Sequence, residues 1–85
     1  MLKAAFDKAA KMVRQKHCTP TELEQLKIYS WYKQANVGDV DTDPPDGDAR
    51  QKWEAWNKLK GTPQSDAMIQ YIKMVKELKS KYGTQ

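Results

Sequence analysis

The longest apolar pattern in the chain is Ala67-Met68-Ile69-Gln70-Tyr71-Ile72-Lys73-Met74-Val75-Lys76-Glu77-Leu78-Lys79-Ser80-Lys81-Tyr82. Its apolar residues recur every three or four positions, which is the period of one face of an α-helix. That face consists of Ala67, Met68, Tyr71, Ile72, Val75, Leu78 and Tyr82. Thr62-Pro63 before the stretch and Gly83 after it are typical start and stop signals. A helix is therefore predicted over about 63–82.

The first segment of the chain has the same period. Phe6, Ala9, Ala10 and Val13 share one face of a helix predicted over about 2–16. A second helix is predicted over about 20–37. Its start resembles a capping box, with Thr19 as the N-cap, Pro20 at N1 and Glu22 at N3, and Gly38 is a typical stop. Its apolar stripe is expected to contain Leu23, Leu26 and Ser30.

A third helix is predicted over about 48–60, with Trp53 and Trp56 on its buried face and Gly61 at its C′ position. The segment before it contains Pro44-Pro45 and Asp46-Gly47, which favour a loop. No segment shows the strict alternation of a strand. The sequence therefore predicts one all-α domain over residues 1–85, a bundle of four short helices.

Charge is distributed unevenly along the 85 residues. The net charge is +4, yet five of the eleven acidic residues lie within residues 39–48, where no basic residue occurs. The rest of the chain is therefore strongly basic. A basic body with one acidic loop indicates an anionic partner.

Several classes of protein are disfavoured by composition. No apolar run is long enough for a membrane-spanning helix, and the N-terminus lacks the apolar core of a secretory signal. The single cysteine, Cys18, forbids an intramolecular disulfide. These features favour a reducing, cytoplasmic location and no stable membrane insertion.

Metal and catalytic motifs are incomplete. Asp39-x-Asp41-x-Asp43 begins like a calcium loop, but Pro44 stands where glycine is needed and Arg50 where glutamate is needed. His17-Cys18 lacks an orienting acid nearby, as a nucleophile–base pair would require. No metal site, no cofactor and no enzyme activity are predicted.

Aromatic and basic residues form the remaining candidate site. Tyr29 and Lys33 lie four apart on the second helix, with Tyr32 adjoining them, while Lys52 and Tyr71 lie on the third and fourth helices. Tyrosine rings with fixed lysines can hold a nucleotide through stacking and phosphate contacts. The same pattern also fits tyrosines at the edge of a core beside solvated lysines.

A longer signature resembles the acyl-CoA-binding protein family. Tyr29-Ser30-Trp31-Tyr32-Lys33-Gln34-Ala35-Asn36-Val37-Gly38-Asp39 is similar to its Tyr-x-x-Tyr-Lys-Gln-Ala-x-x-Gly-Asp motif. The further matches are Phe6-Asp7-x-Ala9-Ala10, Lys52-Trp53-x-Ala55-Trp56-Asn57, Lys60-Gly61-Thr62, Asp66-Ala67-Met68-x-x-Tyr71-Ile72 and Glu77-Leu78-Lys79-x-Lys81-Tyr82-Gly83. They run in order from Phe6 to Gly83.

The resemblance implies an up-down-down-up four-helix bundle that binds medium- to long-chain acyl-CoA esters, one per chain, without enzyme activity. It implies that Tyr29, Lys33 and Lys52 hold the 3′-phosphate, with Tyr32 and Tyr71 around the adenine and ribose. It further implies that Arg14 adds positive charge near the phosphates and that Trp53 and Trp56 fix the third helix in the core near the ligand. By the same resemblance, the acyl groove is expected to be bordered by Phe6, Ala9 and Leu26. The implied role is intracellular carriage by a monomer that supplies acyl-CoA-using enzymes.

One segment departs from the family pattern. The stretch Asp46-Gly47-Asp48-Ala49-Arg50-Gln51 is shorter than its family counterpart, lacks one loop lysine and adds negative charge near the head-group site. Gln25 and Trp31 occupy positions where the family varies, and they are candidates for setting the preferred tail length.

Three other functions remain as alternatives. A basic nucleic-acid-binding module fits the pI of about 9.2, although no single helix carries a basic stripe with base-reading side chains, so no nucleic acid partner is predicted. A protein-docking bundle would show no ligand-induced rise in melting temperature. An enzyme, for instance a thioester hydrolase, lacks an evident nucleophile–base pair.

Overall fold

A computed structural model describes residues 2–15 and 21–82, the side chains of residues 13–15 and 82 excepted. These residues form four α-helices and no strand: α1 (Leu2–Gln15), α2 (Glu22–Asn36), α3 (Ala49–Asn57) and α4 (Gln64–Tyr82). Several sequence predictions fall outside the described part of the chain, namely the end of the first helix at Lys16, the His17-Cys18 turn, the Thr19-Pro20 start and the Gly83 stop.

The helices pack as a flattened body. α4 packs against both α1 and α2, and α3 packs against α2, so the lateral order is α1, α4, α2, α3. The chain measures 38 × 30 × 15 Å along its principal axes. So flat a shape has little interior, and few side chains can be fully enclosed.

The core lies where α1, α4 and α2 meet. It is formed by the predicted faces of α1 and α4 together with one alanine of α2: Phe6, Ala9, Ala10, Ala35, Ala67, Tyr71 and Val75. Small residues at four of these seven positions allow close approach of the helix backbones.

The predicted apolar stripe of α2 is wrong in part. Ser30 is buried and Leu26 half-buried, but Leu23 is 62% exposed, and α2 also buries Gln34 and Ala35. The reason is that α2 has neighbours on two sides, α4 and α3, and close packing there selects small or hydrogen-bonded side chains.

The predicted N-cap of α2 is also displaced. The N-cap is Thr21, which accepts a hydrogen bond from the Glu24 backbone N–H at 3.1 Å, while Glu24 accepts one from the Thr21 N–H at 2.8 Å. The Thr-x-x-Glu pattern occurs twice in overlapping registers, so the sequence alone permits both. The register observed lets Glu24 also pair with Lys81 of α4 at 2.7 Å, which is a tertiary contact.

The end of α3 differs from the prediction as well. The helix ends at Asn57 with Lys58 as its C-cap, so Gly61 is not its C′ residue. Gly61 instead closes the turn that follows, with a φ of +94° that other residues rarely adopt. Its backbone N–H donates to Asp39 Oδ1 at 2.8 Å.

A polar clamp joins the end of α2 to the α3–α4 turn. It consists of Gln34, Asp39, Gly61 and Thr62. The Gln34 side chain is fully buried, and its Nε2 donates to Asp39 Oδ1 at 2.9 Å and to the Thr62 carbonyl at 2.8 Å. Because Gln34 and Thr62 are 28 positions apart, this clamp fixes the distance between α2 and the start of α4.

The two tryptophans of α3 hold the preceding loop. Trp56 is buried and its Nε1 donates to the Gly38 carbonyl at 2.8 Å. Trp53 is only half-buried, and its Nε1 donates to the Thr42 carbonyl at 3.0 Å. Val40, between these two contacts in the chain, is 4% exposed. The start of the acidic segment is therefore held to α3 by two indole hydrogen bonds.

Hydrogen bonding lowers the pKa of the Asp39 carboxyl below its ordinary value of 3.8. The largest cause is the hydrogen bond from the Gly61 backbone N–H, and the second is the hydrogen bond from the Gln34 amide. Burial opposes them by raising the pKa, and the positive charge of Lys60 lowers it slightly further. A carboxyl with a lowered pKa stabilises the folded state fully above its unfolded pKa. That contribution is lost as the pH falls through the lowered, folded-state pKa.

We expect Asp39→Asn to lower the melting temperature at pH 7, because a neutral amide oxygen accepts the same two N–H groups less strongly. The difference from wild type should begin to narrow as the pH falls below 3.8 and should be lost as the pH falls through the lowered pKa of the folded state, where the folded wild-type carboxylate becomes protonated. Thermal melts followed by circular dichroism between pH 2 and pH 7 measure both effects. Asp41→Asn, in the same exposed loop, is the matched control. This variant should melt at the same temperature as wild type at each pH. A difference in melting temperature that stayed constant from pH 2 to pH 7 would contradict a stabilisation that depends on the ionisation of Asp39.

Candidate functional site

Tyr29 and Lys33 of α2 form the first part of the predicted site. They are one helical turn apart, so both side chains leave α2 on the same side. The Lys33 Nζ lies 5.9 Å from the centroid of the Tyr29 ring and 5.7 Å from that of Trp56. Both side chains are half-buried, which limits the directions in which the ammonium group can point.

Lys52 reaches the same tyrosine from α3. Its Nζ lies 5.5 Å from the Tyr29 ring centroid. The position of α3 depends on the hydrogen bond from Trp56 to the Gly38 carbonyl, because this bond ties the end of α3 to the end of α2. The structure thus gathers three predicted residues, Tyr29, Lys33 and Lys52, into one cluster, which we call the Tyr29 cluster.

The electrostatics of the Tyr29 cluster favour an anion. The ion pairs among the described side chains are Lys3–Asp7, Arg50–Glu54 and Lys81–Glu24, and neither lysine of the cluster belongs to them. Two ammonium groups beside one ring repel each other, and the face of the tyrosine offsets only part of that repulsion. A phosphate near both lysines would convert the repulsion into attraction.

Trp56 borders the Tyr29 cluster. The resemblance implied that it fixes α3 in the core near the ligand, and its ring also lies beside Lys33, a contact that the sequence analysis did not name. The signal was present, since Trp56 is four residues after Lys52 and therefore shares its side of α3. The rotation of α3 about its own axis, which directs this face toward Lys33, is a tertiary property.

Tyr32 and Tyr71 lie in a second group, an aromatic triad with Phe6. The ring centroids are 5.5 Å apart for Phe6–Tyr32, 5.0 Å for Phe6–Tyr71 and 5.7 Å for Tyr32–Tyr71. Tyr71 is 3% exposed, whereas Tyr32 is half-buried. Tyr32 therefore offers the larger accessible surface of the two, and it is one helical turn from the Tyr29 cluster.

The three predicted acyl-groove residues do not share one surface. Phe6 is 1% exposed and Ala9 5% exposed, both within the core. Leu26 is half-buried and lines an open groove between α3 and α4. The side chain of Arg14, the remaining predicted ligand contact, lies outside the described residues.

Two negative observations apply to residues 2–15 and 21–82. Within these ranges no group of three or more His, Cys, Asp or Glu residues is placed to hold a metal ion. None of the described helices is both long and apolar enough to cross a bilayer.

Sequence comparison identifies related proteins over almost the whole chain. The family model for acyl CoA binding protein matches residues 3–75. A curated acyl-CoA-binding protein of Saccharomyces cerevisiae is 41% identical over 87 residues, covering 99% of this chain and 100% of that protein.

Solved structures give the same result for the fold. The crystal structure of ACBP from Moniliophthora perniciosa is 37% identical, with a TM-score of 0.90 over 100% of this chain and 87% of the other. Oryza sativa acyl-CoA-binding protein 2 is 33% identical, with a TM-score of 0.89 over 95% and 93%. The prediction of an all-α four-helix bundle of this type is therefore confirmed.

The family model covers most of the chain, the yeast relative matches almost all of it, and the four helices superpose on those of solved relatives. The chain belongs to the acyl-CoA-binding protein family.

Proposed function

We propose that this protein binds medium- to long-chain acyl-CoA esters without chemical change, one ligand per chain, and carries them in the cytoplasm. The observation that supports this most directly is the convergence of Lys33 and Lys52 from two helices onto the ring of Tyr29. Membership of a family of binding proteins supports the general class.

The head group of the ligand suits the Tyr29 cluster. Coenzyme A carries a 3′-phosphate, a pyrophosphate and an adenine ring. In the proposed complex the 3′-phosphate lies between the two lysines and accepts from the Tyr29 hydroxyl. The exposed edge of Tyr32 contacts the adenine or ribose. Tyr71 packs against the Tyr32 ring, and the exposed edge of Tyr71 also contacts the ligand. Charge-assisted bonds of this kind contribute about 1.5–3 kcal/mol each.

The acyl tail supplies the larger part of the binding free energy. Each methylene removed from water contributes up to about 0.8 kcal/mol, so a sixteen-carbon tail gives on the order of 10 kcal/mol before ordering costs. The head then provides position and selectivity. An amphiphile held by both halves is kept from forming micelles and can be handed to acyl-CoA-using enzymes, which we propose as the partners of this monomeric carrier.

We expect palmitoyl-CoA to bind one-to-one and far more tightly than either palmitate or free CoA, because each half makes only part of the contacts. Isothermal titration calorimetry measures the three affinities and the stoichiometry. Palmitoyl-CoA should also raise the melting temperature, since a ligand that binds only the folded state stabilises it.

Two outcomes would contradict this prediction. Equal affinity for palmitate and palmitoyl-CoA would mean that the CoA head group adds nothing to binding, which would contradict a head-group site at the Tyr29 cluster. Absence of binding and of thermal stabilisation, with steeply salt-dependent binding to RNA or DNA, would favour the nucleic-acid alternative.

We expect Lys52→Ala to weaken palmitoyl-CoA binding by about 10- to 100-fold, the loss of one charge-assisted phosphate contact. Lys33→Ala should have a similar effect. Lys73→Ala is the matched control, because Lys73 is an exposed lysine of α4 outside the Tyr29 cluster and its removal changes the net charge equally. The control should bind within about twofold of wild type.

A modified ligand tests which phosphate is held. Palmitoyl-3′-dephospho-CoA should bind wild type more weakly than palmitoyl-CoA, and this preference should be smaller in Lys52→Ala, which keeps Lys33 and Tyr29 but has lost one phosphate contact. If the variant kept the full wild-type preference for the 3′-phosphate, the phosphate would have to be held elsewhere.

A further inference from the structure

Thr42 lies in the middle of the segment that joins α2 to α3, at residues 37–48. This segment contains no helical residue, and Thr42 itself is exposed. The indole N–H of Trp53 donates to Thr42 twice, to the carbonyl oxygen at 3.0 Å and to Oγ1 at 3.2 Å. Because Oγ1 is the acceptor in this contact, the hydroxyl proton is not used there. Thr42 therefore presents a surface hydroxyl at a defined position against α3.

The contact with Trp53 brings Thr42 to the part of α3 that carries Lys52. Lys52 directly precedes Trp53 in the chain, and its side chain is exposed, with Nζ 5.5 Å from the centroid of the Tyr29 ring. The only anchor that Lys52 is given by the described contacts is therefore the face of a neutral ring. A new negative charge on Thr42 would act on this lysine, since charges near a protein surface interact over several ångströms.

The neighbours of Thr42 suit a kinase with a basic substrate groove. Asp41 and Asp43 flank it, Asp39 stands three residues before it and Asp46 four residues after it. Opposite charges steer such a segment into a basic groove. An irregular surface segment also enters an enzyme cleft without the prior unfolding of a helix.

The other serine and threonine hydroxyls that the structure describes are less accessible to a kinase. Ser30 is 4% exposed. Thr21 caps α2 through its Oγ1, and Thr62 is half-buried beside the clamp. Ser65 and Ser80 lie within α4. Modification of these residues requires part of a helix, its cap or the core to open first.

We propose that Thr42 is a phosphorylation site for an acidophilic serine/threonine kinase, and that the phosphate weakens acyl-CoA binding at the Tyr29 cluster. The Thr42 Oγ1 forms a bond to the γ-phosphorus of ATP, the bond from that phosphorus to the bridging oxygen breaks, ADP leaves, and the hydroxyl proton passes to a base of the kinase. The effect on affinity rests on the proposed function, whereas the modification itself does not.

The added phosphate acts against the head group in two ways. A phosphothreonine carries a charge of about −1.5 to −2 at pH 7. Beside α3, this charge attracts the ammonium group of Lys52 and repels the 3′-phosphate of the ligand. Asp41 and Asp43 repel the new phosphate, which favours its displacement toward basic side chains of α3.

The modification is tested by incubating the folded, full-length protein with Mg²⁺, ATP and a kinase of the casein kinase type, followed by mass spectrometry of its peptides. The phosphate should be found on Thr42, and Thr42→Val should lose most of the incorporated phosphate. If the phosphate appeared only on other residues, or not at all, Thr42 would not be the site and the proposal would fail.

The effect is tested by isothermal titration calorimetry with palmitoyl-CoA at low ionic strength. The phosphorylated protein should bind about three- to tenfold more weakly than the unmodified protein, and added salt should narrow the difference. The loss should be smaller for palmitoyl-3′-dephospho-CoA, which lacks the group that the new charge repels. Unchanged affinity after phosphorylation, or an equal loss for both ligands, would overturn the proposed effect.

Two variants serve as controls. Thr42→Val should bind within about twofold of wild type, because its carbonyl still accepts from Trp53. Ser80→Glu adds a negative charge to an exposed position of α4 outside the Tyr29 cluster and should also bind within about twofold. Circular dichroism melts of each protein separate a local effect from unfolding. If the unmodified protein bound no ester, the proposed function would fail, while the peptide mapping would still decide whether Thr42 is modified.

Discussion

The fully buried amide of Gln34 is the contact on which the site geometry depends. It bridges Asp39, just past the end of α2, and the Thr62 carbonyl, just before α4. In so flat a bundle apolar packing alone leaves the ends of the helices free to shift, because few side chains are enclosed. A buried amide with two fixed acceptors resists such shifts, since breaking either bond leaves an unsatisfied polar group in the interior.

The clamp also positions α3 indirectly. Gly38 lies between Gln34 and Asp39 in the chain, and its carbonyl receives the Trp56 indole N–H. α3 packs against α2 but not against α1 or α4. The orientation of α3 therefore depends strongly on the Trp56–Gly38 hydrogen bond and on the hydrogen bonds of Trp53 to the loop. The Tyr29 cluster contains Lys52 of α3, and its geometry is therefore linked to polar contacts more than one helical turn away.

The packing order of the helices separates two kinds of surface. On one side of α2, Tyr29 and Lys33 meet Lys52 and concentrate positive charge. On a neighbouring side of α2, Leu26 and Trp31 lie at the bottom of an apolar groove. The groove is open because α3 and α4 do not pack against each other. α2 therefore presents a positively charged surface on one side and an apolar surface on another, because its two packing partners leave different faces of it uncovered.

The sequence by itself determined the helical fold, because the apolar faces of α1 and α4, the start signals and the Gly and Pro boundaries are local properties. It also singled out Tyr29 and Lys33, whose spacing on α2 is visible without coordinates, and Lys52 through the family signature. It did not determine which Thr-x-x-Glu register caps α2, since both registers fit the local pattern and the contact of Glu24 with Lys81 is tertiary. Nor did it reveal the clamp of Gln34 and Asp39, the contact of Trp56 with Lys33 or the open groove between α3 and α4. Each of these joins residues that are distant in sequence, and only the packing of one helix against another decides such distances.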